Sequence, residues 1–468
     1  MVMFMWDGNT HMTSLPAGAS LAAFIAEKRG QGKRVFTTSR SAAITHQRCP
    51  RRRYLGYHYE GTGITKTKLA TPLATGGYTH VALAELLKGK DAFDACGLAA
   101  EQYEAECTAR GLDLESTENQ TQVMIEQRSL VVAFTHLAAR RVIPQLLEEY
   151  EIVDVEREEW FVLYEDGQLV VVMEARSDGL LREKTAQVCD GGVGRKPVEL
   201  SSSGDLYVLS WKTAASWDRR KAREAKTDMQ GLSEAYAIEL RVGEPVMGTK
   251  MVHLLKGKRK EYPEGSGNYI QSSPLVHAWM NSAGPTPQFA WTFNWSDPDQ
   301  VNDWGKPVQH RLGKGWKHVF IPDVMPVAEW VQMLDEGVVQ PEAGDALDRQ
   351  FVAPMPEPRS PEQKKNWLEQ IEAQEVHIVD FLQQLEAPPP HIHGAGVTDD
   401  VRASYNEQHH EGLMNAMFPQ FTHSCNYPGH CSFWELCWSS EEVDNPITLY
   451  QIREPHHPGE QMIMGDDL

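Results

Sequence analysis

Two groups of residues in this sequence are of types that do chemistry together. The first is Asp178, Ser210 and Lys212. The stretch LYVLSWKTA reads as a strand, and alternate residues of a strand share a face, so Ser210 and Lys212 project on the same side. Asp178 is expected to end the β-hairpin that comes before it. A carboxylate and a lysine at the ends of adjacent strands suit metal-assisted phosphodiester cleavage. The carboxylate holds Mg²⁺, and the ammonium orients the attacking hydroxide or stabilises the pentavalent charge. A surface Asp and a surface Lys would look the same, so the pair alone does not fix a function. The second group is Cys425, Cys431 and Cys437 in HSCNYPGHCSFWELCW, with five residues between successive members. Three thiolates at that spacing need a fourth ligand. Cys96, Cys107 and Cys189 stand alone and read as buried or incidental thiols.

The elements that must position these residues follow from pattern. SLAAFIAEKRG reads as a short helix, and in TTSRSAAITHQRCPRRRYL either Ser39 or Ser41 can cap a helix that Pro50 interrupts directly after Cys49. In ATGGYTHVALAELLKG paired glycines are expected to open a helix with His80 in its first turns. Apolar residues at helical spacing (Val123, Ile125, Val131, Phe134, Leu137, Val142, Leu146) predict a long helix from about 118 to 149. Residues 151–184 change period to two strands joined at Glu165-Asp166-Gly167. A strand, a helix containing KTDMQGLSEAYAIEL and the strand KMVHLL follow, which is an α/β order around one sheet. Residues 262–325 read as a Trp-rich insertion with a strand at Gln288–Phe293. Residues 354–361 read as a linker into a helix over about 361–385. The expected divisions are 1–38, 39–150, 151–261, 262–353 and 354–468.

Six short motifs in this order resemble the RecB-like branch of the PD-(D/E)XK nuclease superfamily: CPRRRYL, GGYTHVAL, EARSDGLL, LYVLSWKTA, MQGLSEAY and CNYPGHCSFWELC. The resemblance covers about residues 40–260 and 415–440. It implies a restriction-endonuclease-like mixed sheet flanked by helices, with a helical N-terminal region and a C-terminal iron–sulfur segment. It implies that Cys49, Cys425, Cys431 and Cys437 ligate a four-iron four-sulfur cluster. Zinc is the rival for four thiolates, but structural zinc sites favour closely spaced cysteine pairs, and none occurs here. Carried over, His80 is the helix-borne metal ligand, Asp178 the central Mg²⁺ or Mn²⁺ ligand and Lys212 the catalytic lysine, while Gln230 and Tyr236 position the phosphate or the lysine. The implied activity is exonucleolytic, on single-stranded or duplex DNA ends. Phage, CRISPR-associated and recombination nucleases share the plan.

The sequence departs from that family at Ser210, where an acidic residue is expected. A hydroxyl carries no charge, so the site lacks one ligand for a divalent cation. Three carboxylates are candidates to replace it. Glu224 follows Lys212 with eleven residues between them, Glu234 shares a helix face with Gln230, and Glu174 lies in register with Asp178 on its strand. On helical geometry Asp228 projects with Glu224 on the opposite side. Thr227 and Gln230 match a capping box, which would leave Glu224 in a loop.

The chain carries a net charge of −20, with 41% apolar and 9% aromatic residues, so disorder is not its dominant state. Its acidity is confined to residues 321–468, which hold 6 Lys and Arg against 26 Asp and Glu. That third is a solvated surface, a screen that keeps DNA off one face, or a seat for a basic protein partner. Basic clusters at Arg51–Arg53, Arg219–Lys221 and Lys256–Lys260 read as solvated loops or local phosphate contacts. No apolar run is long enough to span a membrane, and no secretory signal is read at the N-terminus. A reducing cytoplasm of a bacterial, archaeal or phage-infected cell is expected.

Overall fold

The computed structural model describes residues 20–67, 71–110, 131–186 apart from 133, 201–214, 230–255, 351–387, 398–425, 431–438 and 445–454. It also describes residues 217, 221, 223 and 228, together with the backbone of short strand pairs between 188 and 309. The chain opens with α1 (Leu21–Gly30), β1 (Arg34–Ser39), α2 (Arg40–Arg48), α3 (Pro50–Tyr57) and β2 (Ile64–Lys66). Helices α4 (Thr71–Leu87), α5 (Ala92–Ala109) and α6 (Ile143–Glu149) follow. A π-helical turn at Ala138–Val142 runs into α6, so the predicted long helix is not uniform over its described part, and residues 111–130 lie outside it.

Strands β3 (Tyr150–Glu165) and β4 (Leu169–Glu183) form the hairpin. Its turn is closed by the Asp166 carboxylate, which accepts from the Gln168 and Leu169 N–H groups, both at 2.7 Å. Then come β5 (Leu206–Ala214), α7 (Gln230–Val242), β6 (Val246–Leu255), β7 (Phe351–Val352), β8 (Glu357–Pro358) and α8 (Pro361–Glu386). The last described elements are α9 (Asp399–Met417), α10 (Thr422–Cys425), α11 (Trp434–Trp438) and β9 (Tyr450–Ile452).

Seven strands form one mixed sheet in the order β1-β4-β5-β6-β7, with β3 on the other edge of β4 and β8 also pairing β6. β1 runs parallel to β4 and β5 parallel to β6, while β4 and β5 are antiparallel. Residues on both sides of the predicted 151–261 core therefore join its sheet, and the supposed linker adds the edge strand β8. The short strand Gln288–Trp291 occurs in the insertion.

Alternation along the strands sorts the core into two layers. Leu181, Leu209, Trp211, Val252 and Leu254 pack with Leu83, Leu86, Phe134 and Leu137. On the opposite face Leu180 and Val208 pack with Ala235 and Ile238 of α7, and Val171 and Met173 pack with Leu232 and with Trp367 and Ile371 of α8. Ser210 and Lys212 thus project toward the α7 layer. Gly231 lets α7 come this close, since a Cβ there would lie 1.8 Å from Thr249 Oγ1. Helix α8 is held at its start by a capping box between Ser360 and Gln363. No helix among the described residues is long and apolar enough to cross a membrane.

Candidate active site and cysteine knot

β4 changes partners along its length. Leu169–Glu174 pair with β1, whereas Gly179–Arg182 pair with β5. Residues 175–178 therefore lie in a fork between β1 and β5. Asp178 does not end its strand, as the sequence suggests. It sits inside β4, one residue before the β5 pairing starts at Gly179↔Leu209. The fork leaves its carboxylate free of the ladder, and Oδ2 accepts from the Trp211 N–H at 2.7 Å. Ser210 and Lys212 flank that donor.

Helix α4 brings in His80. Its two glycines do not open the helix, which begins at Thr71. Gly76 lies where a Cβ would meet Thr213 Oγ1 at 3.3 Å. That close approach to β5 sets the next turn, where His80 Nδ1 is 2.8 Å from Asp178 Oδ1, an N–H donating to a carboxylate. Burial alone would raise the Asp178 carboxyl. The His80 charge and hydrogen bond, the Trp211 N–H and the Lys212 charge overcome it and hold the group below its ordinary range. Burial pushes the Lys212 ammonium below its ordinary range, and Arg40 acts in the same sense, while Asp228, Glu234 and Asp178 act to hold it up.

The structure brings His80 and Lys212 to Asp178, with Ser210 next to the Trp211 N–H that Asp178 accepts, and Glu234, 4% exposed, is close enough for its charge to act on Lys212. Glu174 is buried opposite Ser39 of β1 and is not among the principal charges acting on Asp178 or Lys212. Tyr236 packs edge-on against Phe161, ring centroids 5.0 Å apart, and burial raises its hydroxyl to about 12. Gln230 opens α7, but its side chain, Glu224 and Thr227 lie outside the described residues.

Three residues at the site were not anticipated. Arg40 is the first residue of α2, delivered to the fork by the end of β1, and lies 3.9 Å from Asp228. Asp228 precedes α7 and is the foremost charge acting on Lys212, contrary to the expectation that it points away; the expectation assumed that the helix already includes it. His253 of β6 is in register with Lys212. Burial, then Lys212 and Lys221, lower its imidazole to about 4, against the pull of Asp228. The signal for His253 was the parallel β5–β6 pairing, which two separate strand patterns do not specify.

The cysteines converge at a second place. Cys49 lies between α2 and α3, its N–H donating to Thr45 O and its carbonyl accepting from Arg53 N–H. The C-terminal segment is tied to that junction by Ser424 Oγ donating to Arg48 O at 2.6 Å and by Arg51 Nε donating to Phe418 O at 2.9 Å. Cys431 N–H donates to Cys425 O, and the Trp438 indole N–H donates to Cys425 Sγ at 3.4 Å. Burial raises the thiols of Cys431 and Cys437, the latter to about 11. Cys49 and Cys425 add to both shifts, while Arg52 lowers the first and Arg51 the second. The four thiols are thus near enough for Cys49 and Cys425 to act on the other two, with Arg51 and Arg52 beside them.

Cys96 donates to Val132 O, and burial raises both its thiol, to about 12, and that of Cys107. Both read as packing thiols; the Cys189 side chain lies outside the described residues. The three arginines beside Cys49 are not a solvated loop. They lie on α3, Arg51 bonds Asn415 Oδ1 at 2.7 Å, and Arg53 is 1% exposed in an ion pair with Glu375. Of the other two basic clusters, Lys221 alone has a described side chain, and it is exposed.

Among the described residues no group of three or more His, Cys, Asp or Glu side chains is arranged to hold a metal ion. No protein-family model and no curated protein sequence matches this chain.

Proposed function

We propose that this protein is a metal-dependent deoxyribonuclease of the RecB-like PD-(D/E)XK type, an exonuclease on DNA ends whose four-iron four-sulfur cluster is structural. The observation that carries the reading is the meeting of Asp178 and Lys212 from adjacent strands in the fork of a mixed sheet, with His80 bonded to the same carboxylate. Asp178 and His80 would hold a Mg²⁺ or Mn²⁺ ion, with the second carboxylate coming from Asp228 or Glu234. When bound, such an ion polarises the phosphodiester and makes water a stronger nucleophile. The Lys212 ammonium would offset the negative charge that builds on the non-bridging phosphoryl oxygens as the water oxygen bonds to phosphorus and the bond to the leaving sugar oxygen breaks. His80 fixes the Asp178 carboxylate, and Arg40 adds positive charge beside the strand to be cut. Cys49, Cys425, Cys431 and Cys437 would hold the cluster, joining segments nearly four hundred residues apart. A cytoplasmic, reducing setting belongs to the same proposal.

The test is degradation of single-stranded and duplex-ended DNA in Mg²⁺ or Mn²⁺ by anaerobically purified protein. The protein should be brown and contain iron and acid-labile sulfide. Asp178→Ala and Lys212→Ala should each abolish degradation and leave the iron content unchanged. Colourless protein with stoichiometric zinc would remove the cluster from the proposal, and equal cleavage by both variants would remove the site.

A second reading, a catalytically silent DNA-binding or scaffold protein, is favoured by Ser210. Its hydroxyl is fully buried and uncharged, and both Asp178 oxygens are already engaged. A parent inactive in both metals that binds DNA would support it. Activity appearing in Ser210→Glu would identify a decayed site instead.

A further inference from the structure

His253 is buried at 6% exposure, and neither of its ring nitrogens has a hydrogen-bond partner among the described residues. A neutral imidazole carries one N–H donor and one lone pair, and leaving such groups dry and unpaired is unfavourable. In a native protein a gap of this kind calls for an explanation. The position supplies one. His253 is the register partner of Lys212 across the β5–β6 ladder, so the two side chains leave the sheet on the same face. Lys212 and Lys221 both act on its ring, against the single carboxylate of Asp228. Two cations and an N–H donor facing one another favour an anion over a metal ion. The Trp217 ring, half-buried, lies against the imidazole with centroids 4.5 Å apart and planes inclined by 54°.

We propose that His253 is a phosphodiester-binding residue of the Lys212 site, its ring N–H donating to a non-bridging oxygen of the bound strand once the Trp217 indole gives way. The charge of that phosphate is offset by Lys212 and Lys221. The contact completes a hydrogen bond that the described residues leave open, so it acts on strand affinity before any bond is cut. This inference rests on the nuclease reading for its choice of ligand.

The test is anisotropy of a fluorescein-labelled single-stranded oligothymidylate, in EDTA and in Ca²⁺, against the parent, His253→Leu and His253→Gln. The Leu variant fills the space without a donor, and the Gln variant keeps one. A lost hydrogen bond to a charged group corresponds to roughly tenfold or more in affinity. Leu should therefore bind about tenfold more weakly, Gln should stay within about threefold of the parent, and the Leu variant should melt no lower than the parent. His253→Met takes the place of Leu if that variant does not fold. Parent-like binding by the folded Leu or Met variant overturns the proposal while leaving the nuclease reading intact. A loss of affinity that is equal in Gln and Leu and tracks a loss of melting temperature makes His253 a packing residue, and also overturns it. Displacement of the oligonucleotide by inorganic phosphate at matching phosphate concentration reassigns the corner to a free anion and overturns it as well. A parent that binds no oligonucleotide in either buffer overturns both readings together.

Discussion

Two buried polar sites in this protein lie at opposite ends of one property. At the first, Arg53 donates to Glu375 Oε2 at 2.9 Å, to His58 Nε2 at 2.9 Å and to Thr38 Oγ1 at 3.2 Å, with the Tyr57 ring 5.2 Å away. Glu375 accepts a further bond from Gln374. At the second, around Lys212, Ser210 Oγ and both His253 nitrogens are buried with no hydrogen-bond partner among the described residues. The first site ties β1, α3 and α8 together through Arg53 Nε and Nη2, with Nη1 alone lacking a partner among the described residues. At the second, the described residues leave whole side chains without partners. Burial and charge by themselves do not distinguish these two sites, whereas the extent of hydrogen bonding does.

The contrast breaks most sharply at Lys212. Lys212→Met should lower DNA cleavage by a thousandfold or more, about 4 kcal/mol of transition-state stabilisation, while the protein melts at or above the parent temperature. A buried ammonium whose pKa is pushed down is replaced there by an apolar chain of similar length. A clear loss of melting temperature would place Lys212 with Arg53 as a structural group.

The reverse pattern is expected at the Arg53 site. Glu375→Ala should destabilise by about 3–4 kcal/mol in denaturant titration, because it leaves the Arg53 charge buried and unpaired. The double variant Arg53→Met with Glu375→Leu should recover much of that loss. If the two single changes simply add, the pair is not the coupled unit described.

Acid sensitivity sharpens the comparison further. His136 is 8% exposed, and burial, with Arg140, lowers its pKa to about 4. The unfolded chain binds a proton at that residue near pH 6.5 and the folded chain does not. Stability is therefore full above about pH 6.5 and falls as the pH drops toward 4, by up to about 3 kcal/mol. Replacement by Gln should flatten that limb of the stability–pH curve, and an unchanged limb would mean that the imidazole is not held neutral.

The smallest effect belongs to Ser210. Removing a buried hydroxyl that lacks a partner should stabilise Ser210→Ala by up to about 1 kcal/mol. A loss of similar size would mean that the hydroxyl is paired in solution, and the fork more complete than described.

The sequence carried the local parts of this arrangement. The Ser39 cap, the break at Pro50, the Asp166 turn and the shared face of Ser210 and Lys212 each depend on residues a few positions apart, where propensity and period act. The fork was not legible, since it arises when β4 exchanges β1 for β5, a choice made by pairing between distant strands. Arg40 and His253 went unnoticed for that reason, and Asp228 was turned away from the site. Each is ordinary in its own segment and becomes part of the site only through a register or an element boundary. The reading of Asp228 as pointing away failed through one assumption, that α7 starts early enough to include it. The glycines of α4 were seen correctly as special but given the wrong task, because close approach to β5 cannot be read from α4 alone.

The return of the chain's last described strand to its first region bears on how the protein is made. β9 pairs with β2, Tyr450↔Lys66, and the Arg453 N–H donates to Gly63 O, while Arg53 waits for Glu375 and the backbone of Arg48 for Ser424. On the ribosome, where segments emerge in order, residues 49–66 leave the exit tunnel with their buried charge and thiol exposed. They stay so until residues 375 and 450–453 have been synthesised. A premature stop even a few codons before Tyr450 therefore leaves β2, made hundreds of residues earlier, without its partner strand.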